Sequence, residues 1–231
     1  MTLYTAKQFS VDSEGAYLVD LYDSTGWPIL FPRTMIDGKR RGGSHVCLPY
    51  FGADATGALP QHGFGRDVEW QVSVVSDQVI ECAYVHSAQD SFEGLEATLR
   101  YELAEAGNGF TTTLSVKNGG KKPMTITPGF HPYFAVDPAD VRLDGEKVDL
   151  ADFEPYKEYP GTSSMTIASG GRTITVSSDD LEHMVVWTNL QGDFLCVEPT
   201  LSGHSFDSTK LGDTILEPET HVQYSYAVKW S

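Results

Sequence analysis

The sequence predicts an all-β protein built from antiparallel sheet, and three observations carry that prediction. Short runs rich in β-branched and aromatic residues recur along the whole chain. Clusters of Gly, Asn, Asp and Pro separate them, as in Glu105-Ala106-Gly107-Asn108-Gly109, Asn118-Gly119-Gly120 and Ser169-Gly170-Gly171. These are the residue types that tight turns demand. No window longer than about ten residues carries a 3.6-residue apolar stripe, so nothing beyond short helical turns is expected.

In chain order, strands are predicted from Ala16 to Tyr22, Glu69 to Val75, Gln78 to His86, Leu95 to Leu103, Phe110 to Val116, Thr173 to Val176, Met184 to Trp187 and Val222 to Trp230. Period-2 alternation is plainest in Thr111-Thr112-Thr113-Leu114-Ser115-Val116 and in Val222-Gln223-Tyr224-Ser225-Tyr226-Ala227-Val228, the pattern of strands with one apolar and one wetted face. The stretch from Asp137 to Ser164 is acidic and reads as a solvated loop and strand edge, because carboxylates are rarely buried without partners. The alternative is that one of these carboxylates, Asp152 for example, reaches a binding site as a sugar-hydroxyl acceptor, although nothing in the sequence picks it out.

With 231 residues, 40% of them hydrophobic and 11% aromatic, the chain can bury one sizeable core. No linker or fixed-period repeat divides it, so a single domain over residues 1–231 is expected. Sixteen basic residues against 32 acidic ones give a formal charge of −16. Nucleic acid and anionic membrane surfaces are therefore excluded as expected partners. A small anion is not excluded, since a few converging arginines reverse the sign of the field locally. Cys47, Cys82 and Cys196 are odd in number and form no CxxC pair, which argues against a disulfide framework or a structural zinc site. They are expected as small packing residues. The first residues lack a signal-peptide pattern and no run approaches about 20 apolar residues, so the expected location is cytoplasmic, with no membrane segment.

Four segments join strand-like apolar residues to ionisable side chains beside Gly or Pro. They are Arg40-Arg41-Gly42-Gly43 leading into Leu48-Pro49-Tyr50-Phe51-Gly52, then Pro60-Gln61-His62-Gly63-Phe64-Gly65-Arg66, then Pro128-Gly129-Phe130-His131-Pro132-Tyr133-Phe134, and Phe194-Leu195-Cys196-Val197-Glu198-Pro199. Glu198 ends a run that is apolar on both faces, so its carboxylate is either exposed at an edge or held inside with a partner. His131, between an aromatic residue and a proline, has the setting of a core histidine bonded to backbone. His62 and Arg66 flank glycines that permit close approach of a ligand, although an ordinary turn uses the same residues.

Taken together and in this order, the segments resemble the galactose-mutarotase-like superfamily, and most closely its hexose-6-phosphate 1-epimerase branch. The resemblance spans residues 41–199 and implies an antiparallel β-supersandwich with a sugar cleft on one sheet. It implies Glu198 as general base, His131 as general acid, His62 as a substrate-contacting histidine, and Arg41 and Arg66 as phosphate or sugar contacts. Ser44-His45 departs from the branch, where an apolar residue and a proline are usual; this bears on substrate choice more than on the acid-base pair.

Anomer exchange needs a base to take the C1 hydroxyl proton and an acid to protonate the ring oxygen, so neither metal nor other cofactor is expected. A glutamate with a reference pKa of about 4.3 and a histidine of about 6.5 can hold base and acid forms together near neutrality, particularly where a nearby carboxylate keeps the imidazole charged. Phe51, Tyr133 and Trp70 are aromatics available to a sugar's CH face, core packing being their commoner role. His45, His86, His183, His204 and His221 lack HExxH or HxH spacing and are expected at the surface or in the core. The expected partner is a small sugar or sugar phosphate, bound by a monomer or weak dimer. A carbohydrate-binding protein on the same fold is the alternative. A glycoside hydrolase is disfavoured because Glu198 has no second motif-borne carboxylate beside it.

Overall fold

The computed structural model describes residues 2–53, 60–204 and 215–231. It is built almost wholly from antiparallel strands in two large sheets. Eight strands form the first, in the order Leu3–Thr5, Phe9–Asp12, Tyr17–Leu21, Ser44–Cys47, Gly129–Ala135, Phe194–Thr200, His183–Trp187 and Lys157–Pro160. The second has nine, running Glu146–Lys147, Val141–Leu143, Ser164–Ser169, Arg172–Ser177, His221–Trp230, Gly109–Asn118, Leu95–Leu103, Val79–Val85 and Gln71–Ser76. All eight strands expected from the sequence are present, with ends shifted by one or two residues at most. The acidic stretch is solvated as expected, yet it also carries Val141–Leu143, an interior strand of the second sheet.

The two sheets differ in what their alternating faces meet. In Leu95–Leu103, the odd-numbered residues Leu95, Ala97, Leu99, Tyr101 and Leu103 are buried, while Glu96, Thr98 and Glu102 face solvent. Arg100 on that wet face bonds Glu81 at 2.6 Å and Glu102 at 3.0 Å, a surface ladder that adds little stability. The central strands of the first sheet are buried on both faces. Val46, Phe130, Phe134, Met184, Val186, Leu195 and Val197 join the main core. Alternate residues of the same strands, among them Cys47, Tyr133, Val185, Phe194 and Cys196, form small clusters on the other face. Each fully buried aliphatic or aromatic side chain contributes about 1.5–3 kcal/mol. The doubly covered sheet is therefore the rigid platform on which a site can be fixed.

Candidate active site

Strand register gathers the polar side chains of the first sheet's outer face into rows. His45 lies directly opposite His131. The pairs Gly129 with Thr200 and Tyr133 with Cys196 bracket His131 and put Glu198 across from it, and Val185 is opposite Glu198 on the far side. The next row holds Tyr133, Cys196 and Trp187. Because side chains alternate, residues 131 and 133 share a face with 196 and 198, while Phe130, Leu195 and Val197 point into the core.

Loops complete a cleft of about 510 Å³ over this face. Its lining includes Arg41, His62, Arg66, His131 and Glu198, so all five residues singled out in the sequence converge there. Arg41 comes from the strand Lys39–Arg41, and its guanidinium sits 5.2 Å from the Trp187 ring. Two glycines set the walls. Gly43 has φ +66°, and a Cβ there would meet the Leu18 carbonyl oxygen at 2.2 Å; Gly63 has φ +64°, and its Cβ would meet that of Leu48 at 2.2 Å. Neither place admits another residue without displacing backbone. His62, next to Gly63, also has a left-handed backbone at φ +69°, a conformation that costs energy outside glycine and clusters at functional sites.

The histidines form one aromatic cluster. The His131 ring centroid is 4.8 Å from that of His45 and 5.1 Å from that of His62, and it stacks on Tyr133 at 4.7 Å. His62 Nδ1 lies 3.3 Å from Cys47 Sγ. Arg66 donates to the Gln61 carbonyl at 3.0 Å and reaches His45 Nε2 at 3.4 Å. An arginine can only donate, so in that contact His45 Nε2 is placed to accept, while His45 Nδ1 has no hydrogen-bond partner among the described residues.

His131 Nε2 is 3.6 Å from Glu198 Oε1. Glu198 is only 1% exposed, and neither of its oxygens has a hydrogen-bond partner among the described residues. Burial pushes its carboxyl well above the usual carboxylate range. Burial likewise holds His131 well below an ordinary histidine, assisted by His62 and His45. Burial thus disfavours the charged form of both groups, and at His131 the neighbouring histidines and arginines act in the same direction. His45 is lowered by burial and by Arg66, and His62 is lowered to about 3, again chiefly by burial.

Other expectations need correcting. His45 and His204, assigned to surface or core, both line the cleft, as do Tyr17, Gln61, Tyr156 and Trp187. Alternation along Ser44-His45-Val46-Cys47 was a usable signal, since Val46 belongs to the core and His45 must then face away from it. Trp187 follows from the same rule applied to Met184-Val185-Val186-Trp187. Asp152 is exposed, pairs with Lys157 at 3.7 Å and does not line the cleft. Of the three aromatics, Tyr133 lines the cleft, Phe51 backs His62 and His204, and Trp70 is a core residue donating to the Gly65 carbonyl. Lys39, Arg40, Arg41 and Arg66 line the cleft against Asp67 and Glu198, a basic mouth on a chain of charge −16. Among the described residues, no helix is long and apolar enough to cross a membrane.

Comparison with known proteins bears on the family and the fold. The chain is 30% identical over 209 residues to a protein of Cenchrus ciliaris named "Putative glucose-6-phosphate 1-epimerase", covering 69% of this chain and 63% of that one. A protein of the same name from Salmonella typhimurium is 31% identical over 112 residues, covering 46% of this chain and 36% of its own length. The chain thus spans less than two thirds of either relative. A galactose mutarotase-like protein from Lactobacillus casei superposes over 100% of both chains with a TM-score of 0.83 at 19% identity. A Synechocystis protein superposes with a TM-score of 0.82 at 20% identity, over 100% of this chain and 96% of that one; both establish the β-supersandwich fold. The family model described as aldose 1-epimerase matches residues 38–160, more than half of the sequence. The chain belongs to the aldose 1-epimerase family.

Proposed function

We propose that the chain interconverts the α and β anomers of an aldose, with a hexose 6-phosphate as the favoured substrate. The observation that carries this reading is the buried His131–Glu198 pair, 3.6 Å apart. Such spacing suits two oxygens borne by one carbon, the O1 and ring oxygen of a cyclic sugar. Glycosidases separate their two carboxylates by about 5 Å or more. Here the second group is a histidine, and among the described residues Asp67 is the only other carboxylate lining the cleft.

The pair carries one transferable proton in either of two arrangements. With cyclic sugar bound, Glu198 as carboxylate takes the O1 proton. The electrons of that O–H bond form C1=O1 while the C1–ring-oxygen bond breaks, and the ring oxygen takes that bond's electrons together with a proton from the His131 imidazolium. The pair is left as carboxylic acid and neutral imidazole, the forms that burial favours. Rotation about C1–C2 and reversal of the transfers give the other anomer. Ring opening therefore discharges a buried ion pair, and the buried setting assists that step. His62 contacts the substrate, while Arg41 and Arg66 offer fork-shaped donors to a phosphate or to hydroxyls.

The test is exchange spectroscopy by NMR on single anomers of glucose 6-phosphate and of free hexoses. Accelerated exchange is expected with the wild type, and Glu198→Gln is expected to lose about 10²–10⁴-fold, the usual contribution of general acid-base catalysis. Binding without exchange across the whole panel would instead identify a carbohydrate-binding protein.

A further inference from the structure

Cys196 is a buried nucleophile that the proton transfers leave unused. It precedes Glu198 by two residues on one strand, so both side chains leave the same face of the sheet. One ligand atom each from His131, Cys196 and Glu198 lies within 4.8 Å of the other two, and all three residues are buried. Both Glu198 oxygens and His131 Nδ1 lack hydrogen-bond partners among the described residues. Unused lone pairs in a dry site are costly, and a ligand that accepts them recovers that cost.

Thiolate, imidazole and carboxylate together make a donor set suited to a borderline-soft divalent ion in tetrahedral geometry, with metal-ligand distances of about 2.0–2.3 Å. We propose that His131, Cys196 and Glu198 form an inhibitory site for one thiophilic divalent cation of the zinc class, which binds in competition with sugar. The competition rests on the acid-base reading above, because the ion occupies the same lone pairs that move the protons. On binding, Cys196 releases its thiol proton and Glu198 its carboxyl proton to solvent. The two resulting anions balance the ion's charge, and His131 contributes a neutral lone pair. Arg41 and Arg66 oppose a cation in the same cleft, so the site is weaker than a structural zinc centre with the same donors.

The probe is Co²⁺ added to chelator-treated full-length protein. A near-ultraviolet thiolate-to-cobalt charge-transfer band is expected, displaced by Zn²⁺. Cys196→Ser and Cys196→Ala should lose the band, whereas Cys47→Ala, the nearby control, should keep it. In the anomer-exchange assay, Zn²⁺ should raise the apparent KM of the wild type without lowering kcat, and Cys196→Ser should be at least about tenfold less sensitive relative to its own metal-free rate. Absence of the band in the wild type at millimolar Co²⁺, or its persistence in both Cys196 variants, overturns the proposal. Should no sugar exchange at all, the epimerase reading fails while the cobalt spectrum still decides the site.

Discussion

At Glu198, burial and reactivity oppose one another. Its folded pKa is raised, so its contribution to stability is complete below the unfolded value near 4.3 and is lost as pH rises toward the folded value. Glu198→Gln removes the charge while keeping the shape. The variant should therefore melt a few degrees above the wild type at pH 8, with the gap closing near pH 4, in calorimetric scans over that range. A variant less stable than the wild type at pH 8 would show that the carboxylate is satisfied by something other than its present surroundings. The arginines are read at the same scale. Arg41→Ala and Arg66→Ala should raise KM for a hexose 6-phosphate several-fold more than for the free hexose, because each removes a cation from the mouth of the cleft. Equal effects on both sugars would reduce them to hydroxyl contacts.

At the level of elements, the strands were legible because alternation and turn residues are local properties. Phe110 to Val116 and Leu95 to Leu103 alternate in sequence as they do between core and solvent. The run before Glu198 read correctly as buried on both faces, and the same alternation fixes which face the carboxylate shares with Cys196. What sequence could not supply was register. His45 and His131 are 86 residues apart by number and adjacent in space only because their strands pair at those positions. Nor does spacing reveal how far burial shifts a charge, so the direction in which His131 and Glu198 are pushed was not legible in the sequence. Turns carry the remaining design. Gly63→Ala should cost about 2 kcal/mol or more, since its left-handed backbone and its contact with the Leu48 carbonyl both resist a methyl group. Denaturant unfolding would check this, and a neutral effect would mean that the turn holding His62 is loose.

Across the whole molecule, one doubly buried sheet carries an ionisable cluster that the rest of the fold must keep dry. His45, His62 and His131 all have folded pKa values below that of an ordinary histidine. Their sign is opposite to that of Glu198: the unfolded chain binds more protons, so stability is complete above about pH 6.5 and falls as pH drops toward the folded values. Each adds a slope of up to about 1.4 kcal/mol per pH unit, opposed by Glu198 as pH rises from about 4.3 toward its own raised folded value. The stability profile should decline on acidification below pH 6.5, and His62→Gln should flatten it; an unchanged slope would place His62 in contact with water. The central claim is that His131 and Glu198 pass one proton between them as a unit, and a double-mutant cycle on anomer-exchange rates tests it most directly. Glu198→Gln, His131→Asn and the double variant should all fall to nearly the same residual rate, because losing either partner disables both transfers. Losses that add independently, or a single variant that retains near wild-type exchange, would contradict it.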